Sequence, residues 1–174
     1  QGWRIINVAD TAKKERIAQL SLPTATRYLL EKQAEENPLN TINPSAITNE
    51  QVAQAEAPEW LVAHIHNAPT LLVVTVDLSL IASMDKDLDR IGLISGGSIY
   101  PLAWNILLAA RNEGYGGTMT TWGVGEEPEI QALLDIPPHW AVATIMPLGK
   151  PVKQLTKLKR KPVEDILFTD SWGD

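Results

Sequence analysis

The order of apolar and polar residues predicts a strand at the start of the chain, where the two kinds alternate over Trp3–Val8. Asp10 then suits the N-cap of a helix that runs to about Leu20. Pro23 suits the first turn of another helix, which extends to Ala34. The pattern therefore predicts one strand followed by two helices.

A polar segment follows at Asn37–Asn49, and it contains two prolines and four asparagines. This composition predicts a loop. The loop is either a lid over a site, extending over about residues 37–60, or a variable surface loop. Glu50–His66 then has helical patterning that Pro58 interrupts.

The second half of the chain alternates strands and helices. Thr70–Val76 is a continuous β-branched and apolar run, which predicts a central strand buried on both faces. Leu93–Asn112 carries a wide apolar stripe, which predicts a helix buried on most sides and ended by Gly114. Four further segments complete the prediction: an irregular stretch at Asp77–Arg90, a strand at Tyr115–Thr121, a helix at Glu126–Leu134 and a core strand at Trp140–Leu148. No repeat or linker divides them, so residues 1–174 are predicted to form a single α/β-type domain.

Composition excludes several classes of protein. The chain has 174 residues, of which 44% are apolar and 21% are charged, as in ordinary folded domains rather than disordered ones. It has no cysteine, which excludes a disulfide scaffold, a zinc ribbon and a thiol nucleophile. The net charge of −6 argues against a dedicated nucleic-acid binder. The longest apolar run, Thr70–Val76, is too short to cross a bilayer, so we expect no membrane segment.

The start of the sequence gives two further expectations. The first residue is Gln1, and the first predicted strand begins two residues later. The basic start and small-residue cleavage site of a signal peptide are missing, which predicts a cytoplasmic protein. Because a natural terminus rarely opens in a core strand, we expect the sequence to be a fragment of a longer protein.

His64 and His66 have the residue types and spacing of a metal-ligand pair. No third ligand follows at a suitable distance, and His139 is far away in the sequence. Two histidines at the end of a helix are more often surface or capping groups. The sequence therefore predicts no metal site.

Glycines cluster after the long helix, at 114–117 and 123–125. A dinucleotide-binding loop needs a strand before it and a helix after it, and the order here is the reverse. A simple turn from helix to strand explains the cluster. The same glycines also allow a flat ligand to approach the backbone, beside the hydroxyls and amides of Thr118, Thr120 and Thr121.

One cationic cluster stands out in this acidic chain, at Lys157, Lys159, Arg160 and Lys161. It is either a solvated surface or an anion site in which Arg160 makes bidentate contacts to a phosphate. No Ser-His-Asp signature, P-loop or recognisable pair of carboxylates is present. If the protein is an enzyme, its reactive group is therefore expected to come from a cofactor.

Several short passages occur in the order in which one known family has them. They are QGWR at 1–4, HNAP at 66–69, SIYPLAWNILLAA at 98–110, GYGGT at 114–118, LDIP at 134–137, LGKP at 148–151 and RKPVEDI at 160–166. Together they resemble the FMN-dependent nitroreductase family over residues 1–172. The chain departs from the family pattern at Gly2, where proline is usual, and in the long loop at 37–49.

The resemblance implies an α+β fold, an α/β sandwich with a mixed, largely antiparallel sheet flanked by helices. It implies a homodimer with exchanged segments, with FMN bound at the subunit interface. The activity implied is reduction of a nitroaromatic, a quinone or a similar small aromatic acceptor by NAD(P)H through FMN. The alternatives are a catalytically inactive protein of this fold that binds or sequesters a flavin or another ligand, and a domain that binds a different phosphorylated ligand through Arg160.

The resemblance also implies site residues. Arg160, helped by Lys159, would bind the FMN phosphate, and Gln1 would end the passage that contacts the flavin ring. The isoalloxazine edge would be lined by Met119, Thr120 and Thr121, with Gly117 and Thr118 as neighbours. No residue is predicted to act as a general acid or base. The family's N-terminal helix and R-x-R segment have no counterpart in this sequence, so we expect either a fragment or a truncated homologue.

Overall fold

A computed structural model describes residues 1–154 and 156–173. Four strands form one sheet in the order β1-β2-β4-β3, and every described pair of neighbours is antiparallel. The strands are β1 (Trp3–Asn7), β2 (Thr70–Asp77), β3 (Gly116–Gly117) and β4 (Trp140–Gly149). The α-helices are α1 (Thr11–Gln33), α2 (Asn49–Gln54), α3 (Glu59–His66), α4 (Tyr100–Asn112) and α5 (Glu127–Leu134). The expected α+β fold, a sheet flanked by helices, is confirmed.

The central strands β2 and β4 separate two apolar layers. On one face, α1, α3 and α5 pack around buried side chains that include Ile17, Ile65 and Ile130. On the other face, Ala103 of α4 and Ile99, the residue before α4, pack against Val74, Val76 and Met146. Because β2 contributes buried residues to both layers, the prediction of a central strand buried on both faces is confirmed.

The prediction of two helices separated at Pro23 is wrong, because α1 is a single helix with Pro23 in its interior. A proline removes one i→i−4 hydrogen bond, here at the carbonyl of Gln19. The buried side chains of Leu20 and Ala25 lie on either side of it and join the same core. Tertiary packing therefore offsets the local cost. The predicted N-cap is confirmed, since the Asp10 carboxylate accepts from the Lys13 amide at 2.8 Å.

The helix predicted at Leu93–Asn112 starts later and is less buried than expected. A 3₁₀ turn occupies Ile94–Ser98, and α4 follows from Tyr100. Within α4 only Ala103 is buried, so the prediction of burial on most sides is wrong. Tyr100, Trp104 and Leu108 are 42%, 55% and 51% exposed and form one i, i+4 stripe. Gly114, with φ of +80°, follows the end of the helix as predicted.

The strand predicted at Tyr115–Thr121 is shorter in the structure. Regular pairing with β4 is confined to Gly116–Gly117, followed by an isolated bridge between Thr120 and Ile145. Between them the Thr118 amide donates to the carbonyl of Pro147 at 3.4 Å. Proline has no N–H to return that bond, so the ladder is interrupted at this pair.

The remaining predicted helices and the core strand are confirmed with small shifts. Helices α2 and α3 lie on either side of Pro58, and α5 and β4 occupy the segments expected for them. The stretch after β2 contains only 3₁₀ turns and bends up to Ser98. Beyond β4, residues 156–173 are almost entirely exposed, and they contain one 3₁₀ turn at Val163–Asp165. Among the described residues, no helix has the length and apolarity needed to cross a membrane.

Candidate functional site

The backbone after β3 forms an open edge of the sheet. Thr120 exchanges both backbone hydrogen bonds with Ile145, each at 2.9 Å, and Thr118 donates to Pro147. In an antiparallel ladder, alternate residues direct their backbone groups towards the neighbouring strand and away from it. The amides of Gly117, Met119 and Thr121 therefore face outward. We call residues 117–121 the amide edge.

The amide edge separates the predicted flavin contacts into two kinds. Among the described residues, no acceptor bonds to the outward amides of Met119 and Thr121, whereas the amides of Thr118 and Thr120 donate to β4. The carbonyl of Thr120 also accepts from the buried hydroxyl of Thr144 at 3.1 Å. Thr120 is therefore a rigid anchor, and its two neighbours present donors to whatever lies beside the sheet.

Gly117 is required by the packing of the strand itself. A Cβ at this position would collide with the Leu148 side chain and would lie 2.6 Å from the carbonyl oxygen of Pro147. The glycine lets β3 approach β4 closely enough to align the outward amides. The sequence indicated a turn from helix to strand that also allows a flat ligand to approach, and the structure adds this packing reason.

Trp122 attaches the amide edge to the helical layer. Its ring lies 5.8 Å from Tyr28 of α1 and 6.1 Å from His64 of α3, measured between ring centroids. Burial lowers the pKa of His64, so this imidazole is neutral at neutral pH. The backbone that follows Thr121 is therefore fixed by aromatic packing on a rigid helix pair.

A cavity of about 380 Å³ lies beside Gly117 and Thr118. His64, Pro69 and Lys150 contribute to its wall. Neither His64 nor Lys150 was predicted to belong to this site. The position of His64 at the end of a helix indicated a surface or capping group, and Lys150 lies in the LGKP passage, which carried only the family resemblance. Their proximity to the glycines depends on the β2–β4 register, which no local pattern reveals.

The segment between α1 and α2 is fastened to α1. Arg27 donates from Nη1 to the carbonyl of Ile47 at 3.0 Å and from Nη2 to the Asn49 side chain at 2.6 Å. The buried carboxylate of Glu31 accepts from the Leu39 amide at 2.6 Å. A cavity of about 590 Å³ lies between this segment and α1. The predicted loop is therefore held in a defined position by its neighbours.

Lys159 and Arg160 lie in the exposed tail. The Arg160 guanidinium donates to the carbonyl of Lys159 at 3.1 Å. Within residues 1–154 and 156–173, no recorded hydrogen bond or ion pair joins either side chain to the amide edge. The structure thus leaves both cationic groups accessible and does not bring them to the other predicted contacts.

Gln1 lies far from the amide edge within one chain. Thr120 aligns with Ile145, which aligns with Val73 of β2 and then with Ile6 of β1. Gln1 is therefore three strand spacings across the sheet, about 14 Å, and five residues along it, about 17 Å. Two groups about 20 Å apart cannot contact the same ring from one chain.

The described residues contain no group of three or more His, Asp or Glu side chains arranged to hold a metal ion. His64 packs on Trp122 instead. The chemistry available at the amide edge is hydrogen-bond donation to a ligand.

Comparison with known proteins gives one family. A profile of the nitroreductase family matches residues 1–150. Human iodotyrosine deiodinase 1 is 25% identical over 169 residues, which cover 96% of this chain and 53% of the human protein. The mouse protein is 24% identical over 169 residues, covering 96% and 54%. The chain thus spans about half the length of the curated relatives it matches.

Solved structures agree on the fold. The NADPH:FMN oxidoreductase from Vibrio harveyi, complexed with NAD⁺, aligns with a TM-score of 0.64 at 20% identity, covering 100% of this chain and 61% of that one. An iodotyrosine deiodinase bound to FMN and 3-iodo-L-tyrosine aligns with a TM-score of 0.62 at 19% identity, covering 98% and 77%. At these identities the likeness establishes a shared fold.

Proposed function

The chain belongs to the nitroreductase family, and from this membership we propose that it is an FMN-dependent oxidoreductase. The electron donor is NAD(P)H, and the acceptor is a nitroaromatic, a quinone or a similar small aromatic molecule. The single observation in this structure that carries the proposal is the amide edge, where Met119 and Thr121 present outward donors on a rigid support. FMN, when bound, supplies the redox chemistry of the reaction.

The residues of the amide edge bind and orient the ring. Outward N–H groups at Met119 and Thr121 donate to acceptor atoms along one side of a flat ligand. Because Thr120 is locked to Ile145, these donors need no reorganisation when negative charge builds up on the ligand. Their contribution is therefore preorganised electrostatic stabilisation, and no side chain of the edge transfers a proton.

Arg160 and Lys159 hold the FMN phosphate in this proposal. Arginine makes paired, charge-assisted hydrogen bonds to a phosphate, and both side chains are exposed. In the described part of the tail that carries them, the one regular element is a 3₁₀ turn, and in this proposal the ligand or a partner subunit sets the position of the tail. The proposed phosphate-binding residues therefore lie outside the packed core.

We further propose a homodimer with exchanged segments, with the flavin between the subunits. Gln1 and Thr120 are about 20 Å apart in one chain, so both contact one ligand only if two chains contribute them. The stripe of Tyr100, Trp104 and Leu108 on α4 is an exposed apolar face suited to a second copy. The tail carries two further exposed aromatic side chains, Phe168 and Trp172, which are available to a second copy.

A second acceptor class is favoured by one comparison. The curated relatives are iodotyrosine deiodinases, so a halogenated phenol is a competing candidate acceptor. In that reaction two electrons and a proton replace the carbon–halogen bond by a carbon–hydrogen bond and release halide. The donor residues of the amide edge serve both reactions, so the acceptor is decided by assay.

The test begins with FMN binding and then measures turnover. Purified protein is titrated with FMN while flavin fluorescence is recorded, and the loaded protein is assayed with NADH and NADPH. Nitrobenzoate, a benzoquinone and iodotyrosine serve as acceptors. Saturable binding with turnover of any acceptor supports the flavin enzyme, and the preferred acceptor selects between the two classes. Binding without turnover supports the inactive binding protein instead, and no FMN binding overturns the proposal.

A further inference from the structure

A cavity of about 400 Å³ lies next to β1 and the residues after α5. Its lining includes the apolar side chains of Ile6, Leu134, Ile136 and Trp140, and the polar side chains of Arg4, Asp135 and His139. We call it the Arg4 cavity. Its apolar wall residues belong to the core layer of α1, α3 and α5. Met119 belongs to the layer of α4, so the cavity and the amide edge are separate places on the molecule.

Arg4 lines the cavity, and its guanidinium lies over the Trp140 ring. Its guanidinium carbon lies 5.4 Å from the centroid of the Trp140 ring. The carbonyl of Arg4 accepts from the Thr75 hydroxyl at 3.2 Å, which holds the backbone in place. A stacked guanidinium keeps the N–H donors in its plane free for a bidentate ligand.

Within the part of the chain that the structure describes, Arg4 has no ion-pair partner. Arg27 and Arg90 pair with Glu31 and Asp85, at 3.2 and 2.8 Å, whereas Arg4 makes no ion pair with the described residues. A cation that is stacked, oriented and unpaired beside an apolar cavity is an arrangement that recognises an anion with an apolar body.

Two further titratable side chains line the cavity, His139 and Asp135. The His139 ring lies 6.3 Å from the Trp140 ring, measured between centroids. The pKa of Asp77 is lowered mainly by the hydrogen bond that its Oδ1 accepts from the Ser79 hydroxyl at 2.6 Å, and the charge of His139 contributes to the same shift. Asp135 is the one carboxylate among the described lining residues, and it shares the lining with Arg4 and His139.

We propose that the Arg4 cavity binds a small aromatic carboxylate. The carboxylate accepts from the Arg4 fork, with His139 as a second donor, and the ring packs between Ile136 and the indole of Trp140. This site is additional to the flavin site and does not depend on FMN. Its volume lies in the range of pockets that take small organic molecules.

The test uses benzoate and its neutral analogue benzamide, with the tryptophan indole N–H signals followed by NMR. The signal of Trp140 is assigned with Trp140→Phe. We expect benzoate to shift the Trp140 signal without moving the methyl signal of Met119, and benzamide to bind at least about tenfold more weakly. Equal affinity for the two compounds overturns the proposal.

Two variants separate the cavity from general surface charge. Arg4→Met keeps most of the aliphatic stem and removes the charge, so benzoate affinity should fall about tenfold or more. Arg16→Met removes an exposed arginine from α1 and should leave the affinity unchanged. Arg4→Lys retains charge without the planar fork, and an intermediate affinity is expected. The proposal fails if Arg4→Met and Arg16→Met behave alike, or if benzoate shifts Met119 and leaves Trp140 unmoved.

Discussion

Thr120 and Ile145 exchange both of their backbone hydrogen bonds at 2.9 Å, and this pair determines which amides of the amide edge are free. The bridge is isolated, because Pro147 cannot complete the ladder on one side of it. On the other side the chain leaves the sheet at Trp122. One residue pair thus fixes the direction of the donors at Met119 and Thr121.

Proline substitutions at the amide edge should separate ligand binding from stability. Met119→Pro removes an outward N–H, so we expect its FMN affinity to be about tenfold below that of Met119→Ala, which loses the same packing against the α4 layer but keeps the N–H. Thr120→Pro removes the amide that donates to Ile145, so the carbonyl of Ile145 loses this donor. We expect the free energy of unfolding to fall by roughly 1–3 kcal/mol. Urea denaturation and FMN fluorescence titration measure the two effects. Equal stability losses would contradict the assignment of the inward and outward amides.

Arg160 should discriminate between flavins that carry a phosphate and those that do not. Arg160→Ala removes the proposed phosphate ligand, so FMN affinity should fall by about tenfold or more, whereas riboflavin affinity should stay the same. Lys159→Ala should have a smaller effect in the same direction, because lysine lacks the planar fork. The measurement is flavin fluorescence quenching with both ligands. A parallel loss of riboflavin binding would show that Arg160 acts through the structure of the tail.

Trp104 tests the proposed dimer. It is 55% exposed in the middle of the α4 stripe, so Trp104→Glu should place a charge in the subunit interface and yield a monomer. Trp60 on α3 is 69% exposed and provides the matched control, since Trp60→Glu should leave the dimer intact. Light scattering after gel filtration gives the masses, and circular dichroism checks folding. A wild-type monomer, or two variants with the same mass, would refute this use of the α4 face.

Local patterns predicted correctly those elements whose burial in the structure agrees with the apolar pattern of their own residues. Thr70–Val76 is β-branched and apolar, and the strand there is buried on both faces, so period and environment agree. The pattern was wrong at Pro23, where packing of Leu20 and Ala25 in one core keeps α1 continuous. It was also wrong about the burial of α4, because an apolar stripe does not reveal whether this chain or a second one covers it.

The candidate site was only partly visible in the sequence. Family resemblance pointed to residues 117–121, but the alternation of inward and outward amides depends on the register with β4. Pro147, 26 residues after Thr121, is what interrupts that register. The separation of Gln1 from Thr120 likewise follows from strand order, which depends on long-range pairing. The site residues implied by the resemblance therefore stay a prediction, and their arrangement in one chain depends on pairing that no local pattern reveals.

Gly123 should be intolerant of a side chain. A Cβ there would lie 2.6 Å from Ile145 Cδ1 and 3.0 Å from both Ile130 Cδ1 and Ser21 Oγ, all of them in buried residues. Overpacking predicts that Gly123→Ala lowers the free energy of unfolding by about 1–3 kcal/mol. A Cβ on Gly97 would meet no atom within 4 Å, so Gly97→Ala should change the free energy of unfolding by less than about 0.5 kcal/mol. Urea denaturation compares the two, and similar midpoints would contradict the packing described for the turn after Thr121.

Asp85 organises the loop between β2 and α4. Its side chain is 4% exposed, and its Oδ2 accepts from Arg90 at 2.8 Å and from the Leu93 and Ile94 amides at 2.7 and 3.3 Å. These hydrogen bonds, led by that from Leu93, lower the pKa of Asp85 from 3.8 to about 2. The carboxylate is therefore ionised in the folded state at pH values where the unfolded chain already binds a proton.

This shift gives a pH dependence with a defined sign. Because the folded pKa is the lower one, the contribution of Asp85 to stability is complete above about pH 4 and is lost as the pH falls towards 2. Asp85→Asn should be less stable than wild type at pH 7, and the gap should narrow over that acid range. Asp87→Asn, at the exposed partner of Lys86, should show no such gap. Urea midpoints measured from pH 7 down to pH 2 test this, and a gap that stays constant with pH would show that Asp85 stabilises the loop without its charge.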